Sequence, residues 1–218
     1  MRLSQIYGTS LGVLVNTPRY IVLHTSDVSF RANSNQYNSI NIYHRDERGF
    51  PQSVLGGWVG YHYLYTGGKE YKCKEDQEVG AHCNQGYDGV KVYPPQTPGK
   101  LSMNYQSIGL CIGFDGDIEL PPSMEYALLQ KRVWDIQDRY KIPNEHVFFH
   151  RKFATSKTCP GTLITQEWLV ELLKRPTPAV IPPKPIETTC VAQEKEIQAL
   201  KEQVKWWEKL LSFFLRKT

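Results

Sequence analysis

Short apolar runs bounded by turn residues alternate, over most of the chain, with segments whose apolar positions recur every three or four residues. The run "RYIVLH" (19–24) predicts a buried strand ending at His24. "GYHYLYTGGKEYKC" (60–73) alternates aromatic and polar residues about Gly67-Gly68 and predicts a hairpin. "SIGLCIGF" (107–114) reads as another buried strand, and "HVFFH" (146–150) as a strand-like run ending at His150. In "SMEYALLQKRVWDIQDRY" (123–140) the spacing of Tyr126, Leu129, Val133, Ile136 and Tyr140 predicts a helix that follows Pro121-Pro122. "TQEWLVELLKR" (165–175) predicts a last helix with Thr165 as its N-cap, and His44 falls on an early helix. Strands interleaved with helices give an α/β class: a single domain with a central mixed β-sheet flanked by helices.

The pattern breaks at "RPTPAVIPPKPIETT" (175–189), where five prolines forbid a continuous helix and favour an extended spacer. The division is therefore a domain over 1–174, a proline-rich linker over 175–189 and an amphipathic C-terminal helix over 190–218. In the tail Ile197, Leu200, Val204, Trp207, Leu211 and Phe214 follow spacings of three and four. Trp206, Leu210, Phe213 and Leu215 widen that stripe among Lys205, Lys209, Arg216 and Lys217. Such a face suits a protein surface, an anionic membrane surface or self-association with a second copy.

An apolar share of 40% with 22% charged residues is that of a soluble globular protein, and 218 residues hold one domain plus an appendage. The formal charge of +4 favours an anionic partner such as a cell-wall polymer, a nucleic acid or a lipid surface. Five cysteines, an odd set without a CxxC pair, argue against a disulfide framework and for a reducing compartment of synthesis. The apolar run "LGVLV" near the N-terminus is too short for a signal-peptide core, so synthesis in the cytoplasm without a signal peptide is expected.

Two predicted strands end in histidine, at His24 and His150, and Cys159 follows in the loop "HRKFATSKTCPG". Strand ends open onto clefts in α/β sheets. Two imidazoles and one thiolate make a three-ligand zinc set with a fourth position for water. Spacing this loose leaves the other fates of a cysteine open: nucleophile, half of a disulfide, or inert core residue.

The segments "VLHTS", "GYHYLYTGGKEYK", "EVGAHCNQGYDG", "SIGLCIGF" and "FHRKFATSKTCPG" occur in the order found in zinc N-acetylmuramoyl-L-alanine amidases. Over residues 18–172 the chain resembles their bacteriophage endolysin branch, which shares its fold with peptidoglycan recognition proteins. The resemblance implies a six-stranded or similar mixed sheet and one Zn2+ per chain, held by His24, His150 and Cys159. It places the family's essential tyrosine on Tyr61 and its essential lysine on Lys157, stabilising the oxyanion formed when a zinc-activated water attacks the muramoyl–L-alanine amide. It also places His82 at a groove-lining, substrate-binding position, with a loop histidine held by a local hydrogen bond as the alternative; Asn84 and Arg151 are further candidates for lining the groove, on position alone. Strand alternation is expected to set Tyr61 and Tyr63 on one face and His62 on the other. The implied partner is peptidoglycan, with no nucleic acid expected, and the implied place of action is the cell wall, reached from a phage-encoded protein through a holin. The segment 86–106 is expected to form a loop at the groove rim. Alternatives of other classes are a non-catalytic peptidoglycan-binding protein and a wall peptidase using Cys159 as nucleophile.

Overall fold

The computed structural model describes residues 15–176 and 196–205 of the 218-residue chain. Two compact units are present, Met1–Lys174 and Arg175–Thr218.

In the first unit the chain runs β1 (Tyr20–Thr25), α1 (Tyr37–Asp46), β2 (Tyr63–Thr66), β3 (Lys69–Lys72), β4 (Gly86–Tyr87), β5 (Val92–Tyr93), β6 (Ser107–Ile112), α2 (Ser123–Tyr140), β7 (Val147–Phe149) and α3 (Gln166–Leu173). Among the described residues five strands form a mixed sheet in the order β3-β2-β6-β1-β7, the central mixed sheet that the resemblance implies. β1 lies parallel to both β6 and β7, β2 is parallel to β6, and only β2–β3 is antiparallel. That pair is closed by Gly67 and Gly68, whose φ angles of 62° and 67° match the tight hairpin turn that needs two left-handed residues.

Burial on both faces explains why the central strands read as unbroken apolar runs. Ile21, Leu23, Tyr63, Tyr65, Ile108, Leu110, Ile112, Val147 and Phe149 meet the apolar stripe of α2 and residues Leu169 and Leu172 of α3. α2 delivers Leu129, Val133 and Ile136 to that core. Its C-terminal end is tied to the sheet through buried Asp76, which accepts hydrogen bonds from the hydroxyls of Tyr63 (2.6 Å) and Tyr140 (2.9 Å) and from Arg139 (2.8 Å).

The opposite face carries two smaller clusters, one of Tyr20, Val22, Cys83, Tyr87, Met103 and Phe153, the other of Val59, Leu64, Cys73 and Cys111. Tyr61 packs on the second of these, whereas Tyr63 belongs to the α2 side. The expected sharing of a face by the two tyrosines is therefore corrected. β2 begins only at Tyr63, and strict alternation does not extend back through the bend at 60–62. Segment 86–106 is a small ribbon of β4 and β5 followed by a 3₁₀ turn at Met103–Tyr105.

In the second unit residues 196–205 are helical, with Ile197, Leu200 and Val204 each more than half exposed. The linker from 177 onward and the aromatic end of the tail (206–218) lie outside the described residues. Among the described residues no helix is long and apolar enough to cross a membrane.

Candidate metal centre

Leu23 pairs with Phe149 across the parallel β1–β7 ladder. One residue further along each strand stand His24 and His150, side by side, with ring centroids 4.4 Å apart. His24 is the penultimate residue of β1, before Thr25, while His150 opens a 3₁₀ turn that directs the chain into the loop carrying Cys159. That loop folds back because Arg151 holds it. The Arg151 N–H donates to the Cys159 carbonyl at 2.8 Å. Its guanidinium donates to the carbonyls of Thr158 (3.2 Å), Gly161 (2.7 Å) and Ile164 (2.5 Å). Asp117 clamps the same loop from outside, through the Thr158 hydroxyl (2.6 Å) and the Thr162 N–H (2.7 Å).

The outcome is one nitrogen from each of His24 and His150 and the Cys159 sulfur, all within 4.8 Å of one another and all buried. Cys159 Sγ faces His24 Nδ1 at 3.9 Å. On a tetrahedral zinc, with bonds of about 2.0–2.1 Å to nitrogen and 2.3 Å to sulfur, the donors stand about 3.3–3.6 Å apart. The 3.9 Å pair has to close by a few tenths of an ångström, and a separation at the 4.8 Å bound by about an ångström, within the reach of side-chain rotation.

Protonation states suit the same role. Burial, then the neighbouring His150, His82 and Lys157 charges, hold His24 well below its ordinary value. Burial and Lys157 bring His150 down to about 4. Both rings are neutral at neutral pH, with lone pairs to give. Burial pushes the Cys159 thiol up to about 11. A nucleophilic cysteine needs a depressed value, so the free thiol is unreactive as a base-activated nucleophile, whereas a cation would displace its proton.

Tyr61 lies against this cluster, its ring 5.0 Å from that of His24 and 5.5 Å from that of buried His44. Burial, then Cys111 and Cys159, raise it well above the ordinary tyrosine range, so it keeps its proton. Its hydroxyl has the Cys111 sulfur as partner, a weak one that is readily exchanged. Lys157 is exposed, its backbone N–H donating to Ala154 at 2.9 Å, and its ammonium acts electrostatically on both metal-facing histidines. Asn84 is exposed, with Oδ1 accepting from Asn104 Nδ2 at 2.6 Å. His82 is buried, its Nδ1 3.1 Å from His24 Nε2.

Sequence reasoning missed the supports: Asp117, which clamps the Cys159 loop, and Asn104. Asn104 Oδ1 accepts the N–H groups of His82 (2.9 Å) and Cys83 (2.7 Å), fixing the loop between them. Asp27, on the turn after β1, also acts electrostatically on Cys159 and Tyr61. Its place three residues after His24 was the available signal.

A family model for N-acetylmuramoyl-L-alanine amidase matches residues 14–162. No curated protein matches the chain. Among solved structures, the N-acetylmuramoyl-L-alanine amidase LysC from Clostridium intestinale URNW aligns with a TM-score of 0.52 at 19% identity, covering 75% of this chain and 89% of that one. Bumblebee PGRP-SA aligns at 0.53 and 17% identity, covering 79% and 93%. Peptidoglycan recognition protein-LE in complex with tracheal cytotoxin aligns at 0.52 and 16% identity, covering 78% and 92%. At these identities the likeness is one of fold.

Proposed function

Because the chain belongs to the N-acetylmuramoyl-L-alanine amidase family, we propose that it hydrolyses the amide between N-acetylmuramic acid and the L-alanine of the peptidoglycan stem, using zinc held by His24, His150 and Cys159. The observation that carries this reading is the buried convergence of those three donors within 4.8 Å. Bound zinc supplies Lewis acidity, polarising a carbonyl and lowering the pKa of a water to about 7. Tyr61, protonated and beside His24, donates its hydroxyl to the oxyanion that develops as the amide carbon becomes tetrahedral. Lys157 adds positive charge at the mouth of the same site and draws the anionic polymer to it. The imidazoles are unprotonated near neutrality, while the Cys159 thiol, pushed up by burial, would give up its proton only as the incoming cation binds.

Peptidoglycan as the ligand is supported by family membership and by the fold shared with a recognition protein solved around a peptidoglycan fragment. Action on the cell wall as an endolysin follows from the same reading. The test is digestion of purified peptidoglycan by the full chain, before and after chelation and with zinc restored. New L-alanine amino termini should appear without new reducing sugars, vanish on chelation and return with zinc. Binding without any new amino termini would assign the chain to the non-catalytic class. Activity that ignores chelators but is abolished by thiol alkylation would assign it to the cysteine peptidases.

A further inference from the structure

His82 is 8% exposed, and its slot is shaped to the ring. A Cβ at Gly80 would stand 2.5 Å from its Cδ2, and one at Gly109 only 2.6 Å from its Cδ2 and Cγ. The ring therefore occupies a slot that two glycines leave open. Its backbone N–H is fixed by buried Asn104.

The hydrogen bonds around it determine where each proton sits. Ser107 Oγ lies 2.6 Å from the Met103 carbonyl oxygen, which can only accept, so the single hydroxyl hydrogen is committed there. Ser107 Oγ consequently turns lone pairs toward His82 Nε2 at 3.5 Å, and the Ser107 backbone hydrogen-bonds the ring as well. His82 Nε2 must then carry the hydrogen. A neutral imidazole has one N–H, so His82 Nδ1 is an acceptor, and the hydrogen shared with His24 at 3.1 Å belongs to His24 Nε2. His24 Nδ1 is left as a bare lone pair facing Cys159 Sγ.

We infer that His82 is a positioning residue: by accepting from His24 Nε2–H it locks His24 in the tautomer whose Nδ1 points at the divalent cation. The relay Met103–Ser107–His82–His24 thus sets a ligand's orientation from a strand-end turn that never touches the metal. Outer partners of this kind typically contribute about 10- to 100-fold in metal affinity. This assignment rests on the zinc reading of the site, and it is separate from the substrate contact that the resemblance implies for His82.

Two measurements on the full chain test it. In the metal-free wild type, long-range nitrogen–proton NMR of the imidazoles should show His24 protonated at Nε2 and bare at Nδ1; protonation at Nδ1 overturns the inference. Zinc affinity, read by competition with a chromophoric chelator, should fall about 10- to 100-fold in His82→Phe, which keeps the ring volume without an acceptor. His82→Asn, which retains an acceptor near the Nδ1 position, should recover most of that about 10- to 100-fold loss, a rescue that mere space-filling does not predict. Equal zinc affinity in His82→Phe and wild type overturns the inference. A wild type that binds no zinc overturns the metal reading itself, while the NMR result still decides the tautomer.

Discussion

Tyr61 and His24 are in ring contact, yet their assigned tasks separate cleanly by experiment. His24 holds the metal, so His24→Ala removes both zinc and turnover. Tyr61 touches no metal-facing atom in its assigned role; it donates one hydrogen bond as negative charge develops. Tyr61→Phe keeps the packing against His24 and His44 and deletes only the donor. Loss of one such donor costs about 10²- to 10³-fold in kcat, with KM and zinc affinity nearly unchanged. Steady-state kinetics beside a chelator competition would show it, and a Tyr61→Phe variant of normal kcat would remove the hydroxyl from the reaction. The ring at His82 illustrates what sequence could not disclose at this scale. Its motif "GAHC" marked it as notable, but its partner, Ser107, is 25 residues away and meaningful only once the hydroxyl's other contact is known.

At the scale of elements, the strands ending in His24 and His150 were legible because buried parallel strands are continuous apolar runs. Their adjacency was not. Nothing in residues 19–24 or 146–150 states that Leu23 will pair with Phe149, and it is that register which turns two separate histidines into neighbours. The helix over 123–140 was legible from its stripe, but its anchor, Asp76, lies between elements in a stretch with no periodicity. That anchor gives a prediction. The carboxylate is 2% exposed and accepts from Tyr63, Tyr140 and Arg139, and these partners hold it below the usual carboxylate range despite its burial. Asp76→Ala strands two hydroxyls and frees the end of α2, at a cost of roughly 2–4 kcal/mol. Arg139 is half exposed and adds little of this. Urea unfolding should register the loss while zinc affinity of the folded fraction stays at the wild-type level, because α2 packs on the sheet face away from the metal-facing donors.

Across the whole molecule, five histidines converge on the sheet face opposite α2 or on its rim, and all are neutral in the fold. His44, His62 and His150 are brought down to about 4, chiefly by burial; His24 is held well below its ordinary range by burial and then by His150, His82 and Lys157, and His82 by burial and then by His62 and His150. In the unfolded chain each titrates near its ordinary value of about 6.5. Between about pH 6.5 and 4 the unfolded chain therefore binds more protons than the folded one, and stability rises with pH. The contribution is complete above about 6.5 and drains away as the pH falls toward 4, at up to about 1.4 kcal/mol per pH unit for each histidine. A domain stability of ordinary size, about 5–15 kcal/mol, cannot absorb several such slopes at once. The metal-free chain should accordingly lose its cooperative fold between about pH 6 and 4, before most carboxylates are protonated. Zinc, which binds only the folded and unprotonated donor set, should move that transition to lower pH by mass action. Urea midpoints measured at pH 7.5, 6.0 and 5.0 with chelator, then with zinc, would show a steep fall in the first series and a shallower one in the second. A midpoint flat from 7.5 to 5.0 without metal would mean that these imidazoles are not buried neutral together, and the crowding on which the metal centre depends would be wrong with them.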